Sequence, residues 1–206
     1  MNDYFIYSIG FLAQLLFSFR QLVQWISSEK EKKVVAPPLY LITSLIASVL
    51  LFIYGYLRTD FAIMLGQFIT YYIYIRNLQL QNQWKKIQKG LQILLINFPL
   101  ITLFTLMLKG EFDCTLLFDN EFIPNWLLVL GIVSQLIFTV RFIFQWMISE
   151  KNNFSQLPKV FWILSIVGAV LILIYAIFRK DPVLFIGQAF GILIYSRNLM
   201  ILKKYN

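Results

Sequence analysis

From residue 5 onward, apolar runs of about 18 to 22 residues alternate with short polar connectors, each run near the length that crosses a hydrocarbon core. Seven such runs occur, at roughly 5–26, 39–57, 61–80, 91–108, 126–147, 160–178 and 183–202. The pattern predicts seven transmembrane helices. The first run lacks the basic leader and small-residue cleavage site of a signal peptide, so it is read as a retained helix.

Several runs carry polar residues at helical spacing. At 100° per residue, Gln14, Phe17, Arg20 and Gln24 share one face of the first run, and Gln135, Phe138, Arg141 and Gln145 share one face of the fifth. In the third run Gln67, Tyr74 and Asn77 cluster in the same way, echoed in the seventh by Gln188, Tyr195 and Asn198. Arg76 falls roughly opposite Gln67, which gives it and its counterpart Arg197 a different role. Polar stripes in membrane-length helices face protein or a watery cavity.

The echoes belong to an internal repeat. Offset by 121 positions, Gly10–Leu80 aligns without a gap on Gly131–Ile201, with 26 of 71 pairs identical. The identical pairs include Arg20 and Arg141, Gln24-Trp25 and Gln145-Trp146, Pro37 and Pro158, Arg58 and Arg179, Asp60 and Asp181, and Gly66-Gln67 and Gly187-Gln188. A three-helix unit used twice predicts two parallel bundles related by a pseudo-two-fold axis along the membrane normal. The run at 91–108 repeats nothing. It restores the direction of the second unit, giving a 3+1+3 architecture: first unit 1–80, linker helix and extracytoplasmic loop 81–125, second unit 126–206.

Composition agrees. The chain is 59% hydrophobic, 17% aromatic and 14% charged, with mean hydropathy +0.71. It has no histidine and one cysteine, Cys114, which removes the usual general base, an intrachain disulfide and cysteine-rich metal sites. No cofactor, metal or nucleic acid is expected, and an enzyme is the least favoured reading. The net charge of +8 is unevenly spread. One side carries Lys30, Lys32, Lys33, Lys85, Lys86, Lys89, Lys151, Lys159, Lys203 and Lys204, the other Arg58, Lys109, Arg179 and Lys180. The positive-inside rule places the first group in the cytoplasm, with the N-terminus outside and the C-terminus inside. The loop 109–125 holds Glu111, Asp113, Asp119 and Glu121, in keeping with an extracytoplasmic surface.

The segment "GIVSQLIFTVRFIFQWMISEK", with Pro158, Phe161-Trp162 and "RKDPVLFIGQAFGILIYSRNL", closely resembles the lipid A biosynthesis N-terminal domain family, and the likeness covers both repeats. The first repeat has Asp60-Phe61 where the second has Asp181-Pro182. The resemblance implies a fold similar to SWEET and PQ-loop transporters and a link to lipid A or lipopolysaccharide biosynthesis in a bacterial inner membrane. It does not imply synthase activity, because a glycosyltransferase needs a soluble catalytic domain that this chain has no room for.

The candidate chemistry centres on the arginines. All ten carboxylates, Asp3, Glu29, Glu31, Asp60, Glu111, Asp113, Asp119, Glu121, Glu150 and Asp181, lie in predicted connectors or helix ends. None is predicted at membrane depth to neutralise Arg20 or Arg141, although an arginine at mid-span costs ~3 kcal/mol or more. Two readings stand: the guanidinium snorkels or pairs with Glu29 and Glu150, or it awaits a phosphate, whose oxygens suit its planar fork. The second reading assigns ligand binding to Gln14, Arg20, Gln24, Trp25, Gln67, Tyr74 and Asn77, with Gln135, Arg141, Gln145, Trp146, Gln188, Tyr195 and Asn198. Stacking of a sugar on Trp25 and Trp146 competes with simple interfacial anchoring. Structural or gating roles are expected for Pro37, Pro158, Arg58, Asp60, Arg179, Asp181, Gly66, Gly187, Arg76 and Arg197, with the two aspartates as helix N-caps in local salt bridges.

The leading expectation is a membrane carrier or flippase-like protein for a polyprenyl-phosphate sugar or lipid A related glycolipid. The alternatives are a non-transporting accessory subunit of a membrane glycosyltransferase and a SWEET-like carrier of free sugar.

Overall fold

A computed structural model describes residues 3–58, 60–108 and 124–205. Among these residues the fold is all helical: α1 Asp3–Glu31, α2 Pro38–Leu57, α3 Phe61–Leu80, a 3-10 turn Trp84–Lys86, α4 Lys89–Leu108, α5 Asn125–Lys151, α6 Lys159–Arg179 and α7 Pro182–Tyr205. Five of these helices, α1, α2, α5, α6 and α7, are long and apolar enough to cross a membrane by length and composition. The chain is an all-α membrane protein. Lys109, Glu111, Asp113, Cys114, Asp119 and Glu121 lie outside the described residues.

Each expected run is a helix, and α1 and α5 extend four or five residues past their predicted ends because Ser-Glu-Lys at 28–30 and 149–151 continues the turn. Pro37 and Pro158 precede α2 and α6 in extended conformation, where a missing N–H costs the helix nothing. Asp60 caps α3 by accepting from the Ile63 amide at 3.1 Å. Asp181 opens α7, accepting from the Val183 and Leu184 amides at 3.0 Å each.

Within each unit the helices pack in sequence order, α1 on α2 on α3 and α5 on α6 on α7. Across units α1 packs on α7 and α3 on α5. Six helices therefore close into a ring. The core divides into two main apolar clusters, one around Tyr40, Leu78, Phe142 and Phe161, the other around Phe17, Leu51, Tyr54, Ile172 and Tyr175.

The linker helix α4 lies outside the ring against α3. Pro99 sits inside α4 and has no N–H, so the Leu95 carbonyl lacks its donor on the helix ladder. The Tyr71 hydroxyl donates to the Leu95 carbonyl at 2.7 Å and the Tyr72 hydroxyl to the Ile96 carbonyl at 3.2 Å. In lipid a freed carbonyl requires an internal partner, and Tyr71 supplies it, with Tyr72 adding a second bond to the next carbonyl.

Candidate functional site

The polar stripes of α1, α3, α5 and α7 meet inside the ring in successive layers, several of which are joined by contacts that cross from one unit to the other. At the end opposite the lysine-rich one, the Tyr54 hydroxyl donates to Asp181 at 2.8 Å and the Tyr175 hydroxyl to Asp60 at 2.6 Å. The expected capping role of the aspartates holds, but their side-chain partners are in the opposite unit. Burial pushes the Asp60 carboxyl up from its usual range, while the Tyr175 hydroxyl and the Ile63 amide pull it down.

One layer inward, Gln14 lies against Gly187 and Gln135 against Gly66, so close that a Cβ at either glycine would collide with the facing amide. These glycines admit a side chain of the opposite unit, a closer purpose than the general helix packing expected of them.

Arg20 and Arg141 occupy the next layer, 4% and 1% exposed. Arg20 donates through Nη1 to the Ser44 hydroxyl at 2.7 Å and the Tyr74 hydroxyl at 2.9 Å. Its guanidinium lies 4.5 Å from the ring centre of Phe17 and 5.1 Å from that of Tyr40. Arg141 donates to Ser165 at 2.8 Å and lies 3.4 Å from the ring centre of Phe138, 4.5 Å from Phe142, 5.1 Å from Phe161 and 5.3 Å from Tyr195. Neither is in a salt bridge among the described residues. Snorkelling and pairing with Glu29 or Glu150 are thereby excluded for these two, because both side chains are held in the core by hydroxyls and rings. Cation–π contacts contribute about 0.5–2 kcal/mol each, against a desolvation cost of several kcal/mol per buried ion.

Both arginines line one small cavity of ≈ 40 Å³ together with Gln14, Gln21, Gln67, Tyr74, Gln135, Thr139, Gln188 and Tyr195. Five polar atoms of this lining have no hydrogen-bond partner among the described residues: Arg20 Nε, Arg141 Nε, Thr139 Oγ1, Gln21 Oε1 and Gln188 Oε1. Buried polar groups are rarely left unsatisfied, and each costs about 1–3 kcal/mol when it is. The residues around the cavity thus carry both donors and acceptors, and its space admits a few water molecules.

Below the cavity, toward the lysine-rich end, Gln24 and Asn198 exchange two amide hydrogen bonds at 2.9 and 3.1 Å. Gln145 and Asn77 do the same at 2.7 and 3.1 Å. Closest to the end, Arg76 forms an ion pair with Glu150, its Nε donating at 2.9 Å, and Arg197 pairs with Glu29 at 2.7 Å. The indoles of Trp25 and Trp146 donate to the same two glutamates at 2.9 and 3.1 Å.

Eight of the fourteen expected ligand residues therefore surround the cavity: Gln14, Arg20, Gln67, Tyr74, Gln135, Arg141, Gln188 and Tyr195. Gln24, Asn77, Gln145 and Asn198 form the amide layer beneath it, and Trp25 and Trp146 orient glutamates at the helix ends. Arg76 and Arg197 do the separate job expected of them. Gln21 and Thr139 also line the cavity; Gln21 falls on the Gln-Arg stripe about 20° from Gln14 but has Phe142 as its counterpart, so the repeat did not mark it, and Thr139, the counterpart of Ser18, lies about 40° outside the stripe of its helix. Ser44 and Ser165, which hold the guanidiniums, are an identical pair of the repeat and were legible as such.

The model of the Lipid A Biosynthesis N-terminal domain matches the chain twice, at residues 9–79 and 130–200. Similar curated proteins are lipid-A-disaccharide synthases of Chlamydia abortus, 31% identical over 97% of this chain and 33% of the relative, and of Chlamydia pneumoniae, 29% identical over 98% of this chain and 34% of the relative. A third, from Chlamydia trachomatis serovar D, is 26% identical over 97% of this chain and 34% of the relative. The chain spans about a third of the length of the curated relatives it matches. No solved structure matches it.

Proposed function

The chain belongs to the Lipid A Biosynthesis N-terminal domain family, and from that premise we propose that it is a seven-span carrier of a lipid-linked, phosphate-bearing sugar. The spans are the five long apolar helices together with α3 and α4, in a 3+1+3 arrangement. The lysine-rich ends face the cytoplasm of a bacterium and the membrane is the inner one. The cargo class is a polyprenyl-phosphate sugar or a lipid A related glycolipid, used in envelope glycolipid synthesis or modification.

The observation that carries this reading is the pair of buried arginines with no carboxylate partner among the described residues, lining one cavity whose lining residues include five buried polar atoms without a hydrogen-bond partner. Arginine presents a fork of donors that matches phosphate oxygens bidentately, and the glutamines supply further bonds. The cavity is too small for a sugar phosphate, and crossed contacts close it at both ends, as expected of an occluded carrier. Rocking of one unit against the other would separate either the Tyr-Asp layer or the amide and Arg-Glu layers. No chemical step is assigned to the chain.

Native mass spectrometry of the purified chain with undecaprenyl phosphate mannose tests the site. We expect one lipid bound per chain, lost in Arg20→Leu with Arg141→Leu. Full retention in that variant overturns the phosphate reading. Proteoliposomes loaded with the same labelled lipid then test transport.

A second reading, a non-transporting accessory module that presents lipid to a glycosyltransferase, is favoured by the relatives, which are named synthases and are about three times as long as this chain. Binding without translocation, together with stimulation of a partner enzyme, selects it.

A further inference from the structure

We propose that the second unit carries a separate site for an acidic phospholipid, in a groove whose counterpart in the first unit is occupied by the chain's own linker. The groove, ≈ 680 Å³, opens at the lysine-rich end between α6, α7 and the α1–α2 connector. Lys33, Lys159 and Lys203 line it, and Ile163, Leu199 and Leu202 are part of its apolar wall.

The repeat shows what is special about this place. At the offset of 121, the three lysines correspond to Phe154, Pro38 and Asn82, so the equivalent position on the first unit is uncharged. There the chain turns back on itself: Trp84 is buried in one apolar cluster with Ala36 and Leu78, the counterparts of Leu157 and Leu199. Gln81, the counterpart of Leu202, donates to the Ala36 carbonyl at 2.7 Å, and the Gln83 amide donates to the Leu78 carbonyl at 3.0 Å. The first unit thus covers its apolar groove with an aromatic side chain, and the second leaves its groove open and rims it with cations.

Charge and wall together select the occupant. A phosphate group on the rim neutralises the lysines, and an acyl chain covers the apolar residues. The N-terminus of α6 adds to the positive potential, since Pro158 provides no side-chain cap. Lys33 has one competing carboxylate, Glu31 at 3.5 Å, but both side chains are solvent-exposed and such a pair holds weakly. Lys159 and Lys203 are in no salt bridge among the described residues.

The test is retention of dioleoyl phosphatidylglycerol against dioleoyl phosphatidylcholine by the full chain released from mixed nanodiscs, read by native mass spectrometry. Wild type is expected to retain one phosphatidylglycerol with at least tenfold preference. The triple variant Lys33→Gln, Lys159→Gln, Lys203→Gln and the single variant Ile163→Trp, which fills the groove and keeps the lysines, should each lower retention about tenfold. Lys85→Gln with Lys86→Gln, outside the groove, should leave it unchanged, as should Arg20→Leu with Arg141→Leu in the central cavity. Equal retention of both lipids, or wild-type retention in both groove variants, overturns the proposal. Loss of the lipid only in the arginine variant also overturns it, by assigning the lipid to the central site. Lysine-dependent binding of a polyglutamate peptide without phosphatidylglycerol overturns it in favour of an acidic protein partner.

Discussion

Arg20 and Arg141 stand at equivalent positions of the two units, yet their surroundings differ. Arg20 has two hydroxyl acceptors, Ser44 and Tyr74, and the phenol ring of Tyr40 beside it. Arg141 has one hydroxyl acceptor, Ser165, and Phe161 in the place of Tyr40. The difference follows from a few unmatched pairs. Gln21 in the first unit corresponds to Phe142 in the second. Gln21 donates to the Tyr195 hydroxyl at 3.0 Å, while Phe142 packs edge-on to Tyr74 with ring centres 5.2 Å apart. One tyrosine of the pair is thus engaged by an amide from the opposite unit and the other by a ring. Each guanidinium lies over four rings, but Arg20 has the additional hydroxyl acceptor, and Arg141 lies closer to its nearest ring, 3.4 Å against 4.5 Å. A pseudo-symmetric frame has been kept while its centre has become asymmetric.

The most severe break of this comparison is removal of both arginines: Arg20→Leu with Arg141→Leu should lower binding of a polyprenyl phosphate by about a hundredfold or more, consistent with loss of two charge-assisted contacts of about 1.5–3 kcal/mol each. If the asymmetry matters, the single variants differ, with Arg141→Leu the more harmful because its guanidinium has fewer competing acceptors. Titration by native mass spectrometry measures both. Next in size are Gly66→Ala and Gly187→Ala. Each added methyl collides with a glutamine of the opposite unit, and overpacking of this kind costs about 1–3 kcal/mol. Equal falls in thermal unfolding temperature for the two would show that this layer remains symmetric.

Tyr71→Phe probes where the units diverge outside the ring. It removes the donor to the carbonyl freed by Pro99, with an expected loss of about 1 kcal/mol read as a lower thermal unfolding temperature. The counterparts of Tyr71 and Tyr72 are Ile192 and Leu193, and Leu193→Phe, at a side chain 70% exposed, should leave the unfolding temperature near wild type. The smallest effect is expected from Glu29→Gln or Glu150→Gln. These residues form crossed ion pairs at the exposed helix ends, with side chains a third to half exposed, and solvent weakens such pairs. A shift in unfolding temperature smaller than that of Tyr71→Phe, and reduced further at high salt, checks this.

Much of the molecule was legible in the chain. Seven helices lie where hydrophobic runs predicted them, since a run long enough to cross a bilayer must satisfy its backbone as a helix. The repeat, the stripe carrying Arg20 and Arg141, the lack of any carboxylate beside them and the separate role of Arg76 and Arg197 followed from spacing and residue type. Helical periodicity is local, so it assigns a residue to a face with confidence in its neighbours three and four positions away.

Only the tertiary structure decided what each face meets. It joined Tyr54 to Asp181 rather than to its own Asp60, gave Glu29 to Arg197, placed Trp25 and Trp146 outside the cavity and brought Thr139 into it. It also buried Trp84 beside Ala36 and Leu78 at the lysine-rich end of the first unit and left the matching groove of the second open. These outcomes depend on how the two units are rotated and set against each other across the ring. Packing of whole helices fixes that relation, and no spacing within a single helix encodes it.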